Sequence, residues 1–425
     1  MTPSRLRRAA GAVHQALLLL QWQLVRRLPA PRRAPRAEAV LVIPADAEVL
    51  TGSKGDEAML LAARAMARSA FGPEVRLLVA CSTPAADARA HAAGFEPWRV
   101  WGGLAMPLAF RRLLAAARPT RGWVMGADLL DGHYSPVTAL RMIIAADLMA
   151  RAGLATRFLG FSLNEQPARS VCLAFRALDP RAAVQLRDPV SCERFGRVTG
   201  RPARLVADTA FLLPPAPLEE PAAAARRWVR AQRAQGRRVL ALNAHPMLFP
   251  AAEAAAGAAA LADALQAAMH DVAARRPVSW LLLPHDERAG AGDLAWLDLL
   301  HARLDDGQRA FCHRLLAPPA ADQIKALAGE VDGALTGRMH LAIALLGQGR
   351  PVLALAYQGK FAGLLRHFAL PDWLLLEPAQ AVDAAVLTGR LVRFVDELPT
   401  LTEQVGLRLP AVLARARLTF AEALP

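Results

Sequence analysis

The sequence predicts an α/β protein built of two doubly wound parallel-sheet domains in a bilobal arrangement with an interdomain cleft. Short apolar runs alternate with stretches of helical periodicity, first over residues 39–211 and again over 222–377. Between the two series lies 212–221, with Pro214, Pro215, Pro217 and Pro221, which reads as a linker because proline continues neither a helix nor a central strand. At 425 residues the chain is long enough to bury two separate cores.

Residues 1–38 read as a basic amphipathic helix and tail. Arg5, Arg7, Arg8, Arg26, Arg27, Arg32, Arg33 and Arg36 surround the stretch from Gly11 to Val25. The apolar run from Ala16 to Leu20 is too short to span a bilayer, Gln21 and Gln23 interrupt it, and no small-residue cleavage site follows. Two readings stay open: a helix lying on anionic lipid, or a helix docked on the first domain. The expected location is the cytoplasm, with peripheral attachment to the inner face of the cytoplasmic membrane under the first reading.

The first domain opens with a buried strand, 39–43, and a helix from Asp56 through Ser69. Further strands are expected at 75–80, 122–125, 156–161 and 183–186, with a helix over 135–152. After the linker the pattern restarts with a helix over 222–235. Strands follow at 238–243, 279–283, 333–335 and 351–356, with helices over 253–274 and 340–346. Residues 378–425 read as a helical segment. In open sheets of this kind ligands bind beyond the carboxyl ends of the strands, which makes the strand-exit loops the places to look for chemistry.

Composition narrows the class. A hydrophobic fraction of 54% with 21% charged residues fits a folded soluble protein, and the net charge of +14 favours anionic partners. The cations are 48 Arg and three Lys, so Lys54, Lys325 and Lys360 stand out. Nucleic-acid binding has only this charge behind it, and none is expected. Cys81, Cys172, Cys192 and Cys312 have neither paired nor metal-ligand spacing and read as buried free thiols in a reducing compartment. With no acidic or His/Cys cluster in view, neither a metal nor another cofactor is expected. A serine hydrolase is disfavoured, since Gly160-Phe161-Ser162-Leu163-Asn164 lacks the second glycine of a nucleophile elbow.

Several strand exits are polar. The loop 51–58, Thr-Gly-Ser-Lys-Gly-Asp-Glu-Ala, offers two glycines, Lys54 and a following helix start to an anion, with Asp56 either an N-cap or a residue facing the cleft. It lacks the spacing of a Walker loop. Asp128 lies in a second polar loop, 126–135. His245 and the pair His285-Asp286 occupy corresponding places in the second domain. The densest segment is 336–346, in which Arg338 and His340 stand at the start of an apolar helix. It is followed by Gly349-Arg350-Pro351-Val352, then by Tyr357 and Lys360.

This segment resembles the signature of the polysaccharide pyruvyl transferase family, which shows an Arg-x-His element before an apolar helix, then Pro-Val and Tyr-x-x-Lys. Arg187-Asp188-Pro189-Val190-Ser191, Asp208-Thr209-Ala210-Phe211 and Gly55-Asp56-Glu57-Ala58 are similar to three further family segments, in family order. Ala127-Asp128 depart from it, standing where many members have further glycines.

The resemblance implies a glycosyltransferase-B-like architecture. It also implies transfer of a pyruvyl group from phosphoenolpyruvate, as donor substrate, to a polysaccharide or lipid-linked oligosaccharide acceptor. The donor's phosphate and carboxylate call for fixed cations, for which Arg338, Arg187 and Lys360 are the candidates. Lys54, Asp128, His245, His285 and Tyr357 complete the expected substrate-binding set. Protonation of the donor's methylene carbon calls for an acid that titrates near neutrality, and imidazole suits it, so His340 is the candidate acid. Asp56 or Asp128 would deprotonate the acceptor. A bilobal nucleotide-sugar glycosyltransferase and a non-catalytic carbohydrate-binding relative are the competing readings.

Overall fold

The computed structural model describes residues 3–29, 38–103, 105–244, 246–250, 252–288, 292–356 and 360–421. It divides into two compact units. The first comprises Met1–Thr51, Met59–Thr209 and Arg415–Pro425; the second comprises Gly52–Ala58 and Ala210–Ala414. These divisions differ from the ranges read in the sequence: 1–38 joins the first unit, while 210–211, the stretch 212–221 read as a linker and 378–414 all belong to the second. Residues 52–58 fall in the second unit, and the chain's last eleven fall in the first.

The first unit is built on strands β1 (Ala39–Ile43), β2 (Arg76–Cys81), β3 (Glu96–Arg99), β4 (Arg121–Val124) and β5 (Ala155–Phe158), all parallel in the order β3-β2-β1-β4-β5. Every residue of β1 is buried, as expected of a strand covered on both faces, and Leu41 sits between Leu78 and Gly122. A short parallel pair, β6 (Gln185–Leu186) and β7 (Arg204–Leu205), follows. Phe158, Phe161, Phe175 and Phe195 make an aromatic core cluster in which Phe161 stacks on Phe175 at 5.5 Å. The strand expected over 156–161 is shorter, because Gly160 takes a left-handed φ of 70° and turns the chain.

The helix Pro3–Val25 docks on this unit. Leu18, Trp22 and Val25 enter the core, the Trp22 indole donates to buried Asp147 at 2.8 Å, and Arg26 pairs with the same carboxylate at 3.2 Å. At the other end of the chain, Phe420 packs edge-on against Trp123, and Arg157 donates to the carbonyls of Thr419 and Ala421.

The second unit carries β8 (Arg238–Asn243), β9 (Val278–Leu282), β10 (Cys312–Arg314), β11 (Gly333–Thr336), β12 (Val352–Leu355) and β13 (Leu375–Leu376), parallel in the order β10-β9-β8-β11-β12-β13. The order reverses between β8 and β11, which makes their carboxyl ends the topological switch point. The helix Ala384–Leu418 lays Phe394 and Leu398 against Gly333, where a Cβ would lie 3.0 Å from the Phe394 ring. All four cysteines are free, but only Cys81 is buried; Cys172, Cys192 and Cys312 are partly exposed, which corrects the expectation of four buried thiols.

Candidate active site

In the second unit, strand exits bring several of the expected residues together. Strand β11 ends at Thr336, the Gly337 N–H donates to the Asn243 carbonyl at the end of β8, and Arg338 follows in extended backbone before the helix Met339–Leu346. The Thr336 hydroxyl accepts from the Arg338 N–H at 3.0 Å, fixing the turn from strand to helix.

Arg338 is buried, and its guanidinium faces two carboxylates, Asp286 at 3.0 Å and Asp293 at 3.3 Å. Both come from the loop after β9. Asp293 also accepts from the backbone N–H groups of His285 and Asp286 and from the Asn243 amide, while Asp286 pairs with Arg288 at 2.8 Å. Burial raises the pKa of Asp293 above the usual carboxylate value, against the pull of Arg338 and those hydrogen bonds. The sequence reading counted Arg338 as a cation available to the donor. In the structure the guanidinium is held between these two carboxylates, one of which, Asp286, it shares with Arg288.

Residues 52–58 complete the arrangement. Ser53 bridges Asp286 in antiparallel fashion, the Lys54 N–H donates to the His285 carbonyl at 3.2 Å, and the Glu287 N–H donates to the Gly52 carbonyl. The helix Lys54–Phe71 starts here, so 51–58 is not the open loop expected, and Asp56 lies in the first helical turn rather than at the cap. Lys54 is buried and pairs with Glu57 at 2.9 Å, and Glu57 also accepts from the Ala321 N–H.

Gly55 lies against His340. A Cβ at residue 55 would stand 2.2 Å from Nδ1 and 2.6 Å from Cγ of the imidazole, so a side chain here would displace the ring. His340 itself is half-buried at the start of its helix. The N-terminal Gly-Asp-x-Ala segment and the Arg-x-His element, assigned to separate domains by the sequence, are therefore parts of one site in one unit.

Arg187 and Asp128 belong to the first unit. Arg187 is buried, donates to Asp208 at 2.7 Å and to the Ser162 hydroxyl at 2.8 Å, and follows the short strand β6. Burial works against its charge, but the carboxylates of Asp208, Asp128 and Asp188 outweigh it and hold the guanidinium above its ordinary pKa. Asp128 accepts from the Tyr134 hydroxyl at 3.3 Å. The preceding Ala127 has a φ of 44°, in the left-handed region that favours glycine, which gives a physical reason for the glycines expected at this place.

His285 contributes through its backbone, as already described, and its side chain is buried. His245 and Tyr357 lie outside the described residues, and Lys360 opens the helix Lys360–His367. Lys325 is buried away from these groups, donating to the Phe211 carbonyl at 2.7 Å, with its pKa pushed down by burial to about 8. Asp293 and Glu57 are the partners that sequence reasoning did not single out. Among the described residues no group of three or more His, Cys, Asp or Glu is placed to hold a metal ion.

Residues 152–359 match the polysaccharide pyruvyl transferase family. The match contains Arg187, Asp208, Arg338 and His340, so the resemblance read from these motifs is borne out, and it supports a transferase of polysaccharide pyruvylation in general. No curated protein matches the chain. Among solved structures, a putative UDP-N-acetylglucosamine 2-epimerase from Listeria monocytogenes is similar, with a TM-score of 0.57, 13% identity and coverage of 91% of this chain and 98% of its own. A second UDP-N-acetylglucosamine 2-epimerase has a TM-score of 0.58 at 10% identity, covering 92% and 99%. S. aureus MnaA with UDP has 0.56 at 8%, covering 87% and 91%. At such identities the likeness carries the fold alone, and that fold is the glycosyltransferase-B-like α/β class.

Proposed function

We propose that the chain transfers a pyruvyl group from phosphoenolpyruvate to a sugar of a polysaccharide or lipid-linked oligosaccharide, yielding a cyclic ketal and phosphate. The observation that carries this reading is the half-buried His340, which lies against Gly55 and stands two residues after carboxylate-braced Arg338 in the matched span. A proton is delivered to the methylene carbon of the donor, which becomes the ketal's methyl group. One sugar hydroxyl then bonds to the adjacent carbon, phosphate leaves with rupture of the carbon–oxygen bond, and the second hydroxyl closes the ring. Of the two hydroxyl protons, one balances the proton added to carbon and the other departs with phosphate.

His340 is the group for the first proton transfer, being the titratable side chain at the helix start. Arg338, held by Asp286 and Asp293, orients the helix start, whose N–H groups and dipole favour the donor's anionic end. Asp56, in the first turn of its helix, is the candidate base for the acceptor. Arg187 is left out of the donor site because its charge is answered by Asp208.

A nucleotide-sugar reaction is the second reading, favoured by the fold shared with MnaA, whose structure holds UDP. One experiment separates them: phosphate release from phosphoenolpyruvate, measured with free and lipid-linked oligosaccharides, beside UDP release from UDP-sugars. Phosphate release matched by pyruvylated glycan is the expected result. UDP release without phosphate release from any acceptor mixture would overturn the proposal.

A further inference from the structure

We propose that the N-terminal helix is a docking surface for an anionic lipid bilayer, with an apolar stripe that enters the interface and an arginine-lined cavity beside its end that takes a headgroup. The helix Pro3–Val25 has two apolar faces. One is the docked face of Leu18, Trp22 and Val25. The other is formed by Val13, Leu17, Leu20 and Leu24 and continues to Leu28 just past the helix, all between 38% and 59% exposed. Steps of four, three, four and four residues keep these side chains on one side of a helix, about a third of a turn away from the docked face. A single exposed leucine needs no explanation, but a continuous row of five large apolar side chains marks a surface meant to be covered.

Charge identifies the cover. Residues 1–37 contain eight Arg and no Asp or Glu. Beside the end of the stripe lies a cavity of about 140 Å³, lined by Arg26, Arg111, Arg151 and Arg181 with Val25 and Leu28. Among the described residues the carboxylates that pair with these guanidiniums are Asp147 and Asp179, so four positive charges meet two negative ones there. Arg111 also donates to the carbonyl of Pro29, which ties the chain after the helix to the rim of the cavity.

A second copy of the chain would bring eight arginines against eight, which disfavours it, and a nucleic acid would leave the leucines exposed. An anionic bilayer satisfies both features, taking leucine below the headgroups and arginine among them. The attachment is peripheral, since no described helix is long and apolar enough to cross a membrane. The two readings left open by the sequence are thus compatible, because the docked face is what presents the other to lipid.

The test is cosedimentation of the full chain with phosphatidylcholine–phosphatidylglycerol vesicles and with pure phosphatidylcholine. Binding is expected to the mixed vesicles, weakening as salt rises. The triple change Leu17→Ser, Leu20→Ser and Leu24→Ser, all at exposed positions, should lower it at least about tenfold while the variant melts like the parent. Arg111→Gln should lower it less. Equal binding to neutral vesicles, or unchanged binding by the folded triple variant, would overturn the proposal. So would a concentration-dependent dimer that the leucine changes abolish, or inorganic phosphate bound by these arginines with no vesicle binding at all.

Discussion

Arg187 and Arg338 look alike in the sequence, each opening a short polar motif after a strand, yet they are held differently. Arg187 donates to Asp208 and Ser162, and its neighbour Asp188 caps the helix Pro189–Thr199 by accepting from the Ser191 N–H at 2.7 Å. The Ser162 hydroxyl in turn donates to Asp188 at 3.0 Å, so Arg187 sits in a buried polar network that also holds the start of this helix. Arg338 is braced as tightly by Asp286 and Asp293, but two residues on stands a half-buried histidine whose ring faces a glycine. The difference teaches that a buried arginine motif is first a brace, and that chemistry is to be sought in the titratable neighbour the brace positions.

Three substitutions sharpen this comparison or break it. His340→Gln retains hydrogen bonding but removes the proton donor, so turnover should fall about 10²–10⁴-fold and one limb of the pH–rate profile should vanish. Melting should match the parent. Parent-like turnover at saturating phosphoenolpyruvate would return His340 to a packing role.

Arg187→Met should act in the opposite way. It strands Asp208 in the interior, and breaking a buried pair of this kind costs about 3–5 kcal/mol, readable as a lower urea midpoint. Where the variant is still folded, its affinity for phosphoenolpyruvate should be that of the parent. A stable variant that has lost donor binding would make Arg187 part of the donor site and end the contrast.

The smallest change is Gly55→Ala. Its Cβ must push the His340 ring aside, and misplacement on the scale of an ångström is worth about 10–100-fold in turnover. Alanine is also the better helix former, so stability should stay within about 1 kcal/mol of the parent. Full activity in this variant would show that ring position is not set from residue 55.

What was legible in the sequence follows from what each element is made of. Strands β1 and β8 are central and buried on both faces, so they appear as unbroken apolar runs, and the expected span 238–243 is the observed one. Two of the edge strands escaped notice: Glu96–Arg99 contains a proline and Cys312–Arg314 two polar residues, compositions that an edge tolerates and a central strand does not. At the site, Arg338 and His340 were legible because they form a compact motif. Asp293 was not, because an aspartate just before a helix reads as a cap. Here its side chain makes no cap hydrogen bond and turns instead to Arg338, Asn243 and the β9 exit loop. Gly55 was quoted as part of a motif, but its contact with residue 340 depends on a fold in which segments 285 residues apart meet.

The assignment of Gly52–Ala58 to the second unit has a consequence for dissecting the molecule. Neither unit is a contiguous stretch of chain, so no single cut separates them. A fragment made of 210–414 would carry Arg338 and His340 but lack the glycine against the imidazole, the bridge from Ser53 to Asp286, and the carboxylate that receives the Ala321 N–H. The matched span 152–359 has the same gap. Restoring the histidine's surroundings in such a fragment would require residues 52–58 to be supplied in trans or spliced in by circular permutation. Activity regained on adding that piece would be direct evidence of what it supplies.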